Sequence, residues 1–303
     1  ALPVSGIAAQ GFDWATKIAI AVLFFFHGAK LSREAVISGL THWRLHLAIV
    51  AATFLVFPAL GFATTLLPVS ILPAQLAAGV AFLCCLPSTI QSSIAFVGAA
   101  RGNVAAAVVA ASASNILGIF ITPVLAALLM HTSGGSGMGL EQVEAIVLQL
   151  LLPFVAGQIA RRWIGAWVDR HRPMLGYFDR GVILAVVYGS FSAAVNEGIW
   201  RQVTVVQIAT LAGISLAILA VVLAVTAFGA RALGFSKEDE ITIVMCGSKK
   251  SLASGTPMAG ILFPAASVGM VLLPLMLFHQ IELMACAAIA QRYGARPEPD
   301  AGA

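Results

Sequence analysis

Long apolar stretches follow one another along almost the whole chain, separated by short segments that contain charged residues, glycine or proline. Most of them approach the roughly 20 apolar residues that a helix needs to cross a bilayer. They are too long, and alternate too little between polar and apolar residues, for the strands of a membrane barrel. The pattern predicts nine membrane-spanning helices, near residues 14–29, 45–66, 74–99, 103–130, 140–162, 179–198, 203–230, 239–260 and 265–291.

The composition excludes most other classes of protein. Of the 303 residues, 60% are hydrophobic and 10% are charged, whereas soluble domains average about 45–50% and about 25%. So few charges cannot form the surface of a soluble enzyme, a secreted disulfide scaffold or a disordered chain. We therefore expect an all-α polytopic protein that is integral to the plasma (inner) membrane and in contact with membrane lipid.

The basic residues of the loops predict the orientation. Thirteen of the 17 Lys and Arg residues follow the first, third, fifth, seventh and ninth stretches, whereas the opposite loops contain Arg201, with Lys17 near the start of the first stretch. The side with more basic residues is normally cytoplasmic, which places the C-terminus in the cytoplasm. The basic residues form no patch, so we expect no nucleic-acid partner.

The first four stretches match the last four at an offset near 161 residues. For example, Cys85 precedes Asn103 by 18 residues, and Cys246 precedes Pro264 by the same number. The two sets have opposite predicted orientations, so we expect an inverted repeat.

The repeat divides the chain into a first half at 1–130 and a second half at 131–303. The stretch at 140–162 has no partner in the first half. We therefore expect that a tenth helix belongs upstream of residue 1 and that the first half lacks it.

Each half contains an interruption at a matching position. Pro87 removes a backbone donor in the first half, and Gly247 weakens the helix in the second. Interrupted helices at corresponding positions indicate the binding site of a transporter. The nearby hydroxyl and amide groups either line this site or bind backbone carbonyls that the interruptions leave free. The candidate residues with such groups are Ser88, Thr89, Gln91, Ser92, Ser93, Ser248 and Ser251, and Gly247 is a candidate through its position at the break. Asn115 is also a candidate, and its alternative interpretation is that it joins helices, as polar residues often do in membrane bundles.

Charged residues inside the predicted spans are the strongest evidence in the sequence for a functional site. Lys249 and Lys250 cost about 2.5–3.5 kcal/mol each at the centre of a bilayer. Either they extend to an interface, or their ammonium groups replace a coupling ion or bind an anionic substrate. His279 and Glu282 are one helical turn apart, which favours either a structural pair with a lysine or proton exchange.

These segments resemble the bile acid:sodium symporter superfamily, and in particular its bile-acid-symporter-like branch. The resemblance covers nearly the whole chain and rests on Cys84–Asn103, which ends in Arg101-Gly102-Asn103, on Met245–Gly255, and on Phe26–Ser32 and Leu275–Gln280. It implies ten helices in two inverted halves, panel and core domains that each draw on both halves, and transport by alternating access.

The chain departs from this family at its sodium ligands. The positions of the Glu, Gln and Asn ligands become Met245, Lys249 and Lys250. The family's other oxygen ligands become Ala107, Ala111 and Ile94, although one serine falls at Ser93. We therefore expect no sodium coupling through the usual sites, and H⁺ is the alternative coupling ion.

The sequence thus predicts a secondary transporter of a small or amphipathic organic anion. Two alternatives stay open: arsenite-like metalloid efflux through Cys84, Cys85 and Cys246, and a regulator or scaffold that does not transport. No catalytic signature occurs, so we expect no enzyme. The four cysteines lack the spaced partners of a zinc site, so we expect neither a metal centre nor a cofactor.

Overall fold

The computed structural model describes residues 7–30, 42–132, 147–196 and 203–296. Within these ranges the chain forms α-helices and two short π-helical segments, and no strand. In chain order the elements are α1 (Ile7–Lys30), α2 (Trp43–Ala51), π1 (Ala52–Val56), α3 (Phe57–Thr65), α4 (Ala74–Cys85), α5 (Ile90–Ala99), α6 (Val104–Thr132), π2 (Val147–Leu151), α7 (Leu152–Arg170), α8 (Arg172–Asn196), α9 (Val205–Ala232), α10 (Lys237–Gly247), α11 (Leu252–Leu262) and α12 (Ala265–Gly294).

Five helices of the described ranges are long and apolar enough to cross a membrane: α1, the continuous run α2–π1–α3, α6, α9 and α12. The pair α4 and α5, bent by 61° at the break between them, is a sixth if it counts as one span. This agrees with a polytopic helical membrane protein, but it does not confirm nine spans. Residues 140–146 and 197–198 of two predicted spans lie outside the described residues, as does Arg201.

The helix bounds keep the spacing of the predicted repeat. Helices α4 and α5 begin and end 162 or 163 residues before α10 and α11. The inverted orientation of the halves and the boundary at residue 130 stay predictions.

Local sequence explains where several helices begin. Thr204 and Gln207 form a capping box at the start of α9, in which each side chain binds the other residue's backbone N–H. Ser236 caps α10 by accepting a hydrogen bond from the N–H of Asp239. Three acidic residues, Glu238, Asp239 and Glu240, follow in the first turn of α10, where they stabilise the positive end of the helix dipole.

Helices α1 and α7 pack with their backbones in contact. Gly28 of α1 faces the backbone of Phe154, and Gly157 of α7 faces the backbone of Phe25. A Cβ atom at either glycine would overlap a carbonyl oxygen of the other helix. Small residues permit this close approach between membrane helices.

We expect Gly157→Val to lower the free energy of unfolding by about 1–3 kcal/mol, because overpacking forces the backbones apart. Unfolding in mixed detergent–SDS micelles, followed by circular dichroism, measures this change. Gly181→Val in α8 is the matched control, since no atom of the described residues lies within 4 Å of a Cβ built there. The prediction fails if the two variants are equally stable.

Candidate functional site

The first interruption separates α4 from α5. Helix α4 ends at Cys85, and Pro87 cannot continue it because proline lacks an N–H and clashes with the preceding turn. Helix α5 begins at Ile90. Pro87 packs against Gly118 of α6, where a Cβ would come within 2.7 Å of the proline side chain.

The second interruption separates α10 from α11. Helix α10 ends at Gly247, where a Cβ would lie 3.2 Å from the side chains of Ala52 in π1 and Thr226 in α9. The next helix begins after Ser251, whose hydroxyl accepts a hydrogen bond from the N–H of Ser254 at 3.1 Å. The breaks thus fall at the two positions that the sequence predicts.

The two interruptions meet inside the protein and satisfy each other's backbone. Unpaired backbone groups at membrane depth are costly, so irregular segments occur there only where protein or water covers them. Three hydrogen bonds join the two breaks: Ser88 Oγ to the Cys246 carbonyl (2.6 Å), Thr89 Oγ1 to the Lys250 carbonyl (3.0 Å), and Ser251 N–H to the Pro87 carbonyl (2.8 Å). Each break therefore stabilises the other.

Lys250 is fully buried at this meeting point. Its ammonium donates to the carbonyls of Thr53, Cys84 and Leu86 at 2.9, 2.8 and 2.7 Å. Its backbone N–H donates to Glu282 Oε2 at 2.9 Å. A lysine has three donors on its ammonium, so no donor remains for a substrate.

Lys249 is equally buried, but its surroundings differ. Its Nζ lies 3.9 Å from Glu282 Oε1 and 4.4 Å from the ring centre of Phe96, and it has no hydrogen-bond partner among the described residues. His279 Nδ1 lies 3.4 Å from the same carboxylate oxygen. The predicted proximity of His279, Glu282 and a lysine is therefore present in the structure.

Asn115 of α6 ties the first break to α11. Its Nδ2 donates to the carbonyls of Ser88 at 2.7 Å and Ala111 at 3.0 Å, and its Oδ1 accepts from Ser254 Oγ at 2.6 Å. These contacts match the interpretation that Asn115 joins helices.

The other polar residues that the sequence predicts for the site differ in burial and in hydrogen bonding. Ser93 Oγ lies 3.5 Å from Ser88 Oγ, and Ser248 Oγ lies 3.8 Å from Cys286 Sγ. Gln91 is exposed, and Ser92 Oγ is buried without a partner among the described residues. Gln91 thus lies away from the bonds that join the breaks.

Sequence reasoning missed two residues of this region. Thr122 in α6 donates its hydroxyl to the Cys85 carbonyl at 2.8 Å. Thr53 in π1 accepts from Lys250 through its backbone. Pro58 gives only a partial signal for Thr53, because its missing N–H would free the Phe54 carbonyl in an α-helix. The Thr53 carbonyl is freed because the N–H of Phe57 donates to Ala52 in π1.

A cavity of about 280 Å³ lies between α1, α8 and the junction of α11 with α12. Its wall combines apolar residues with the polar side chains of Thr16, Lys17 and Ser192. Lys17 Nζ lies 2.7 Å from Asp13 Oδ2, and both residues line the cavity. The cavity therefore offers an apolar wall and a charged edge.

The four cysteines are buried free thiols. Across the described residues, no group of three or more His, Cys, Asp or Glu side chains is arranged to hold a metal ion. The described residues therefore contain no three-ligand site for a metalloid such as arsenite.

Buried charges between two broken helices, in a chain of apolar spans, are typical of secondary transporters. The chain matches the model of the SBF-like CPA transporter family over residues 1–295. The chain belongs to this family, and it is a membrane transporter of the bile acid:sodium symporter type, so the resemblance seen in the sequence is confirmed.

The chain is similar to proteins from bacteria and animals. It is 55% identical over 302 residues to the uncharacterized protein PA2026 of Pseudomonas aeruginosa, covering 100% of this chain and 91% of that protein. Identity to the putative symporter YfeH of Escherichia coli is 53% over 298 residues, covering 98% and 89%. Identity to the mouse sodium/bile acid cotransporter 7 is 31% over 276 residues, covering 88% and 79%. The latter two relatives carry names of transporters, not of enzymes.

Proposed function

We propose that this protein is a secondary transporter that moves a small or amphipathic organic anion by alternating access, without sodium at the family's usual sites. The observation that carries this proposal is that two fully buried lysines share one buried carboxylate, that of Glu282. The Lys249 ammonium lies 3.9 Å from Glu282 Oε1, and the Lys250 backbone N–H donates to Oε2 while its ammonium binds carbonyls. Excess positive charge in a medium of low dielectric attracts an anion strongly.

Lys249 is the group that we assign to the anion. The three donors of Lys250 are used by backbone carbonyls, whereas the ammonium of Lys249 has no hydrogen-bond partner among the described residues. Movement of the broken helices during alternating access would bring Lys249 to the substrate. His279, whose side chain is 15% exposed, extends the site toward the surface.

The same charges oppose sodium. Two unit charges about 4 Å apart repel by roughly 4 kcal/mol at an effective dielectric near 20. Met245, Ala107 and Ala111 are fully buried and offer no side-chain oxygen where sodium-coupled members of the family have ligands. We propose H⁺ as the coupling ion instead, exchanged at His279 and Glu282.

The cavity beside α1 and α8 supports an amphipathic substrate. An apolar body would contact Ile20 and Val186. Asp13 compensates the charge of Lys17 at 2.7 Å on the edge of this cavity, so the acidic group of the substrate stays assigned to Lys249. In this proposal the protein lies in the plasma (inner) membrane with its C-terminus in the cytoplasm.

Counterflow in proteoliposomes tests the function, with radiolabelled taurocholate and acetate as the large and small anion probes and arsenite as the metalloid probe. We expect anion flux that is unchanged when choline replaces sodium, varies with pH, and falls at least tenfold in Lys249→Gln. Arg170→Gln, which removes an exposed charge at the end of α7, should retain full flux. Arsenite flux that thiol reagents block would favour metalloid efflux, and absence of any flux would favour a scaffold.

A further inference from the structure

The carbonyls that surround the Lys250 ammonium lack their helical donors for identifiable reasons. In π1 the N–H of Phe57 donates to the carbonyl of Ala52, five residues back. It therefore does not bind Thr53, which it would reach in an α-helix. Pro58, the next residue, has no N–H. The Thr53 carbonyl is consequently free to accept from Lys250 at 2.9 Å.

The other two carbonyls are freed by the break after α4. The N–H of Ser88, which would bind the Cys84 carbonyl in a continuing helix, donates to Ser114 Oγ at 3.0 Å. Pro87 offers no donor either. The carbonyls of Cys84 and Leu86 accept from Lys250 at 2.8 and 2.7 Å.

The position is electrostatically suited to a cation. Cys84 and Leu86 lie at the C-terminal end of α4, where a helix dipole is negative. The ring centre of Phe57 lies 4.0 Å from Lys250 Nζ, which is within the range of a cation–π contact. The distances of 2.7–2.9 Å are those of charge-assisted hydrogen bonds from an ammonium.

We propose that the carbonyls of Thr53, Cys84 and Leu86, with the ring of Phe57, form a binding site for a small monovalent cation of the ammonium type, which Lys250 itself occupies. The native chain thereby carries its own permanent cation at the meeting point of the broken helices, and needs none from solution there. This proposal rests on the proposed function and deepens it. It concerns which cation the meeting point of the broken helices requires, and it separates the role of Lys250 from that of Lys249.

The test removes the tethered ammonium and supplies a free one. Lys250→Ala is expressed and purified in detergent with methylammonium chloride present throughout, and the salt is then exchanged for N-methylglucamine chloride, whose cation is too large for the site. We expect Tm to fall after exchange and to recover when methylammonium is added back, with saturation. Potassium and sodium should restore less, because they donate no hydrogen bonds.

Two variants and the wild type serve as controls. Lys250→Met fills the same space with an uncharged chain, so it should not respond to methylammonium. Lys249→Ala removes an ammonium that has no carbonyl partners among the described residues, and it should not respond either, nor should the wild type.

The proposal is overturned if no small cation restores the Tm of Lys250→Ala, or if either control variant or the wild type responds equally. It is also overturned if folded Lys250→Ala cannot be obtained even with methylammonium present. Because the readout is thermal stability, the anion flux assay can fail while this proposal stands, and the reverse also holds.

Discussion

Replacing Glu282 by alanine should destabilise the protein by about 3–5 kcal/mol, because it leaves a buried charge without its partner. Glu282 Oε1 lies 3.9 Å from Lys249 Nζ, and Oε2 accepts the backbone N–H of Lys250 at 2.9 Å. The variant loses both contacts at a site where all three side chains are fully buried. Reversible unfolding in mixed detergent–SDS micelles gives the change in free energy.

Three further variants identify the cause of this loss. Glu282→Gln keeps an acceptor for the Lys250 N–H, so it isolates the cost of the lost charge. The double variant Glu282→Ala with Lys249→Met should be more stable than Glu282→Ala alone, because the unpaired ammonium is gone. Glu238→Ala removes an exposed carboxylate from the first turn of α10 and should cost no more than about 1 kcal/mol. If Glu282→Ala and Glu238→Ala cost the same, Glu282 has no role in compensating the lysines.

Asn115→Ala should have the second largest effect, a destabilisation of about 2–3 kcal/mol. It leaves the Ser88 carbonyl without the donor at 2.7 Å and removes the acceptor of Ser254 Oγ at 2.6 Å. A buried group that loses its partner costs about 1–3 kcal/mol. The same unfolding assay measures the loss.

Gln91→Ala is the matched control, since Gln91 also carries an amide near the first break but is exposed. A surface substitution of this kind is usually within about 0.5 kcal/mol of neutral. Equal losses for the two variants would show that the hydrogen bonds of Asn115 do not hold the break together.

The helical character and the positions of the two breaks were predictable from sequence. Apolar length predicts helices, and Pro87 and Gly247 act on the residues directly beside them, so the breaks at 86–89 and 248–251 follow from local chemistry. The placement of His279 one turn before Glu282 follows equally from helical periodicity. The count of nine spans went further than the described helices support.

The separate roles of the two lysines required the tertiary structure. Lys249 and Lys250 are neighbours in one break, yet one ammonium lies beside a carboxylate and the other among carbonyls. The Thr53 carbonyl is 197 residues away in the sequence from Lys250, and the Cys84 carbonyl is 166 residues away. Such partners depend on how distant helices pack, which no local pattern encodes.

The sequence by itself therefore determined a helical membrane chain with two interruptions, two lysines in one of them, and membership of the SBF-like CPA transporter family. Only the tertiary structure decided that the interruptions satisfy each other's backbone, that Lys250 is held by three carbonyls, and that Lys249 is not. The physical reason is that helix length and helix breaks arise from neighbouring residues. The energy of a buried charge instead depends on every group that packing brings within a few ångströms of it.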